Sequence, residues 1–129
     1  MIIDALQYNH WSEKIFQELH EGGVNAVHVT IAYHEDFRET VENISAWNRR
    51  FEKFPELIQP AGSAEDVRKA ERENRTAIIF GCQNCSPLED DIGLVEVLHQ
   101  LGIRFMQLSY NNQSLLATGC YELEDPGIT

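Results

Sequence analysis

Two cysteines, Cys82 and Cys85, stand where the apolar run Ala77, Ile78, Ile79, Phe80 breaks at Gly81. A CxxC at a strand-to-helix junction is the arrangement of a thiol redox pair, and a helix N-terminus lowers a thiol pKa. Two features oppose that chemistry. Pro87 follows the pair instead of lying inside it, and Cys82 shares a strand face with Ile78 and Phe80, which would bury it. A single CxxC also offers too few ligands for a structural zinc. His34 and Glu35 close a strand-like run and offer acid/base or metal chemistry, although adjacent side chains diverge in an extended chain. His28, inside that run, reads as a packing histidine bonded to its neighbours. His10, His20 and His99 have no ligand spacing.

These residues need elements to position them. Ile2 to Leu6 suits a buried strand, and Ser12 can cap a helix with Trp11 stapled on Phe16 and an end at Gly22-Gly23. "VNAVHVTIAY" reads as a strand apolar on both faces, suited to a sheet covered on both sides. From Asp36 to Phe54 the apolar residues Phe37, Val41, Ile44, Trp47, Phe51 and Phe54 keep a helical period, and Pro55 ends it. Ser63 and Asp66 cap a third helix before the strand "TAIIFGC". Ser86, Pro87 and Glu89 form a helix-start signature that places Leu88, Ile92, Val95 and Leu98 inward, with Glu89, Asp90 and Asp91 on the favourable end of the dipole. "IRFMQLSY" is a fourth strand, and the tail from Asn111 shows turn formers, "DPG" among them, but no period.

The order is βα βα(α) βα β, an α/β pattern of about four parallel strands with helical crossovers. It suits an open three-layer sheet or half of an eight-stranded barrel. Chemistry in either collects where strands end. Those ends carry Gln7, Tyr8, Asn9 and His10; Tyr33, His34 and Glu35; Gln83, Asn84 and Cys85; and Tyr110, Asn111, Asn112 and Gln113. Amides and phenols orient ligands but do not titrate near neutrality, so binding is more legible than catalysis.

The 129 residues have the length of one domain, and 43% apolar content is that of a globular protein. A net charge of -11 sets aside nucleic acid and anionic membrane as partners. No apolar run reaches the ~20 residues of a membrane span, and three cysteines fit a reducing compartment, so a cytoplasmic location is expected.

"FGCQNCSPLEDDIGLVEVLHQLGIRFMQLSYNNQ" resembles the third and fourth strand-loop-helix units of the membrane dipeptidase family, the M19 or renal-dipeptidase type of zinc-dependent eight-stranded barrel. "LGIRFMQLSY" follows that family's Leu-Gly-(Val/Met)-Arg-Tyr-Leu-Thr-Leu-Thr-His strand. "IIDALQYNHW" matches its Ile-Asp-Gly-His-x-Asp-x-x-Trp start. The resemblance covers essentially the whole chain and implies that residues 1–129 are a single domain, the N-terminal part of a (β/α)8 barrel.

Carried over position by position, the resemblance implies an altered site. The family's first His and Asp metal ligands fall on Leu6 and Tyr8, its bridging Glu on Gln83, and its substrate-contacting His on Tyr110. Gln83 is a weak metal candidate, since a neutral amide cannot balance two cations. The remaining family ligands would lie past Thr129. A hydrolase of dipeptides or other small amides is implied, with one zinc ion held mainly by ligands outside this chain and a substrate end shaped by Gln7, Tyr8, Gln83, Tyr110 and Asn111. The isolated chain would be inactive, and its exposed sheet edges would seek the missing C-terminal half or another copy. Two alternatives stand beside this: a non-catalytic ligand-binding or partner subunit on the same scaffold, and a CxxC redox protein.

Overall fold

The computed structural model describes residues 1–125 and 127. Five strands are present: β1 (Ile3–Gln7), β2 (Ala26–Ala32), β3 (Ile58–Pro60), β4 (Thr76–Cys82) and β5 (Ile103–Met106). Four helices connect them: α1 (Glu13–Glu21), α2 (Phe37–Lys53), α3 (Ala64–Arg72) and α4 (Leu94–Gln100). Every strand pair is parallel. β2 lies between β1 and β4, while β3 and β5 pair with the two ends of β4, at Ile58↔Thr76 and at Phe80↔Ile103. Parallel strands joined by helical crossovers are the expected half-barrel pattern.

Alternation along β2 and β4 divides the core. Val27, Val29, Ile31, Ile78 and Phe80 pack with Phe16, Leu19, Ile44 and Trp47 from α1 and α2. Trp47 is the hub, with ring centroids 5.2 Å from Trp11, 6.1 Å from Phe16 and 6.0 Å from Phe80. The Trp11–Phe16 staple forms as a stacked pair. On alternate residues Ala26 and Ala77 meet Val67 and Ala70 of α3. The small side chains let that helix approach closely.

Helix starts are well specified. Asp36 accepts from Glu39 N (2.8 Å) and the Glu39 carboxylate accepts from Asp36 N (3.2 Å), a reciprocal box at the head of α2. Ser63 Oγ accepts from Asp66 N (3.2 Å) to open α3.

Five expectations need correction. β1 is exposed, because it is an edge strand with no neighbour on its outer side among the described residues. A fifth strand, β3, lies between Pro55 and Ser63, where the sequence suggested no element; three residues ending in Pro60 are too short to show a period. Ser86 and Pro87 open only a single 3-10 turn, Ser86–Leu88, because Glu89 takes a left-handed φ of 49° and stops it. α4 begins at Leu94, so Ile92 and Val95 are 68% and 45% exposed while Leu88 and Leu98 are buried. Finally, "IRFMQLSY" contributes only four strand residues. The turn read at Asp125-Pro126-Gly127 lies, through Pro126, outside the described residues.

Candidate functional site

The C-terminal ends of β1, β2 and β5 bring three tyrosines together. The Tyr33 ring lies 5.3 Å from Tyr110 edge-on and 6.5 Å from Tyr8, and packs 4.1 Å from the His34 imidazole. Asn111 Nδ2 donates to the Tyr33 hydroxyl (3.0 Å), and Cys120 Sγ donates to Asn111 Oδ1 (3.4 Å). Burial, helped by Tyr110, Tyr121 and Cys120, raises the Tyr33 phenol above its ordinary value, so it keeps its proton at neutral pH. A neutral phenol held by an amide is a hydrogen-bond donor of fixed direction.

The structure thus assembles Tyr8, Tyr110 and Asn111 of the sequence candidates around Tyr33. Gln7 stands apart, its amide donating to Asp4 Oδ2. Gln83 is half-buried and anchored through its backbone, which donates to Ala32 O (2.8 Å). Sequence reading placed Tyr33 at a strand end without giving it a role. Its central position arises because β2 and β5 lie on either side of β4, a neighbourhood that no local pattern encodes.

Leu6 has a left-handed φ of 59°, at the point where β1 slips its register against β2. Its side chain lines an apolar recess with His28, Cys82, Phe105 and Met106. This surface does not fit a metal: among the described residues no three His, Cys, Asp or Glu side chains converge. Leu6 and Gln83 offer neither the charge nor the basicity that zinc requires.

His28 is half-buried and stacks on Phe105 at 4.8 Å. The expected bond to a neighbour is not made: Nε2 is buried without a hydrogen-bond partner. Burial pulls its pKa below 6.5.

The cysteines are inert by placement. Cys82 is buried, and desolvation pushes its thiol up to about 12. Cys85 is buried too, with Sγ donating to Leu108 O (2.7 Å). A redox pair requires accessible, low-pKa thiols, and this pair has the opposite character. The acids after them do not open one continuous helix: Asp91 Oδ1 accepts from Gly93 N (2.8 Å), just ahead of α4. Glu89 instead reaches across to accept from Phe37 N (3.2 Å), a donor at the head of α2.

Glu35 folds back on its own loop, its Oε2 accepting from Tyr33 N (2.5 Å) and His34 N (3.0 Å). Burial alone would raise its pKa, but these bonds and the Asn43 amide outweigh it and lower the value, so Glu35 is ionised. His34 turns toward Tyr33, and the two adjacent side chains do not form a joint ligand set.

The wider comparisons agree with this architecture. An amidohydrolase from Pseudomonas aeruginosa superposes with a TM-score of 0.94 and 38% identity, covering 100% of this chain and 39% of that one. The metallopeptidase dipeptidase AC superposes with a TM-score of 0.75 at 12% identity, covering 91% of this chain and 45% of its own, a likeness of fold. Dipeptidase tcpJ of Claviceps purpurea is 24% identical over 83 residues, 64% of this chain. The chain spans about a fifth of that relative's length, 20%. Residues 5–128 match the membrane dipeptidase family, and with its parallel half-barrel sheet the chain belongs to that family, peptidase family M19.

Proposed function

We propose that residues 1–129 supply the N-terminal part of a (β/α)8 hydrolase acting on a small amide, of which a dipeptide is the simplest case. The observation that carries this reading is the Tyr33–Asn111 pair, flanked by Tyr8 and Tyr110, at the end of the strands where barrel enzymes bind substrate. The Tyr33 hydroxyl accepts from Asn111, and among the described residues its own proton has no acceptor. It is therefore free to donate to a ligand carbonyl. Gln7 and Gln83 are the outer candidates for the same substrate end.

His34 packs on the Tyr33 ring and Glu35 is tied to the backbone amides of its own loop, so neither is assigned proton transfer. Reactivity must come from residues outside the chain, including most ligands of any single zinc ion, with Gln83 at best a minor one. The isolated chain is then inactive. The exposed Ile3 and Phe105 mark the surface where the C-terminal half, or another copy, completes it. The three free cysteines favour the cytoplasm. No helix is long and apolar enough to cross a membrane among the described residues.

The loss of ligand chemistry at Leu6, Tyr8 and Gln83 favours a second reading, a binding subunit without turnover. A dipeptide hydrolysis assay decides between them. It is run on this chain and on a barrel completed with the C-terminal part of the Pseudomonas amidohydrolase, each with and without added zinc. Turnover in the completed barrel that falls with Tyr33→Phe supports the hydrolase. Ligand binding without turnover in both supports the binding subunit.

A further inference from the structure

Beside the tyrosine cluster, between the end of β1, the end of β2 and α2, lies a small polar recess of about 170 Å³. That is room for a small solute rather than a single water. Tyr8, Asn9, Thr30, Glu35 and Arg50 line it, and the indoles of Trp11 and Trp47 form its apolar wall. Two opposite charges share this recess without pairing. No carboxylate comes within salt-bridge range of Arg50 among the described residues; its guanidinium lies 5.1 Å over the Trp47 ring. Burial and the adjacent Arg49 lower the Arg50 pKa, the mark of a cation short of a counterion. Opposite it, Glu35 is ionised and fixed by backbone donors.

We propose that this recess binds a compact zwitterion of the α-amino-acid class. The carboxylate pairs with Arg50, in the geometry guanidinium favours, and the ammonium pairs with Glu35. An anion alone would face Glu35, and a cation alone would face Arg50, so each half-ligand meets one repulsive charge. A recess of about 170 Å³ suits a ligand with a small side chain. The proposal concerns binding only and does not depend on the hydrolase reading.

Trp11 and Trp47 are the two tryptophans of the chain, and both line the recess. Their indole N–H resonances in the full 129-residue chain are therefore direct reporters during titration with L-alanine, acetate or methylammonium. L-alanine should move both saturably, with acetate and methylammonium at least about tenfold weaker. Arg50→Gln should weaken L-alanine binding by about tenfold or more, and Arg50→Lys by less. Glu35→Gln tests the other charge, and because Glu35 also ties its loop, the Arg50 variants decide if that one misfolds. Indoles unmoved by L-alanine up to about 10 mM, equal shifts with acetate, or undiminished affinity in Arg50→Gln would each overturn the proposal. Hydrolysis is not read, so failure here is distinct from failure of the hydrolase assignment.

Discussion

The imidazole of His28 occupies the space above Gly81: a Cβ built on Gly81 would fall 1.7 Å from His28 Nε2. Strand pairing sets this contact, since Gly81 faces Thr30 and Ile79 faces His28 across β2 and β4. Gly81→Ala should therefore destabilise the fold by about 1–3 kcal/mol, the usual effect of overpacking. Combining it with His28→Ala should recover part of the loss. Urea midpoints of the two single variants and the double variant measure the coupling, and strictly additive losses would show that the two residues do not compete for space.

Protonation of the same ring is opposed by burial, which holds its folded-state pKa below the 6.5 of a free imidazole. The unfolded chain then takes up the proton first. Stability from this group is full above about 6.5, where both states are neutral. It is lost as pH falls below that value toward the folded pKa. Urea midpoints should drop less between pH 7 and about 5.5 in His28→Gln than in the parent chain. Equal drops would mean that the ring is charged without penalty.

Thiol reactivity should separate into one fast and two slow groups. Cys120 is exposed, whereas Cys82 and Cys85 are buried and the Cys82 thiol is raised to about 12. Alkylation of the native chain at neutral pH should modify Cys120 first, and Cys120→Ser should abolish the fast phase. A fast phase that survives this change would reopen the redox reading.

Trp47 joins α2 to both β4 and the α1 staple and is only 3% exposed. Trp47→Ala should cost about 3–5 kcal/mol, large against a domain's usual 5–15 kcal/mol. Thermal melting by near-ultraviolet dichroism reads it directly, through loss of the aromatic signal.

Glu89 gives a smaller and more local test. It reaches from the turn after β4 to Phe37 N, beyond the reciprocal Asp36–Glu39 box. Glu89→Ala should cost about 0.5–1.5 kcal/mol, the net value of one exposed hydrogen bond. Amide exchange at Phe37 should quicken while that of α3 is unchanged.

The fold was legible wherever a segment carried its own period or cap. The six apolar positions from Phe37 to Phe54 predict α2, and Ser63 predicts α3, because helix stripes and caps are local chemistry. β3 was illegible because three residues cannot display a period, and the helix read from Ser86 failed because Glu89 takes its hydrogen bond from α2 rather than from its own first turn. In the candidate site, Tyr8, Tyr110 and Asn111 were visible as strand-end polar residues. Tyr33 as their common neighbour was not, since it depends on which strands lie side by side. Arg50 was hidden further still, since nothing local distinguishes it from Arg49 beside it, which is exposed while Arg50 packs over Trp47.

The left-handed backbone at Leu6 bears on how such a site changes over evolutionary time. At φ 59° a leucine is strained, while histidine, asparagine and aspartate visit that region several-fold more readily. Histidine at position 6 would therefore relax the main chain instead of straining it, so the backbone there is permissive for a ligating side chain. Gln83 lies outside this argument, because a neutral amide differs from a carboxylate in charge and not in torsion.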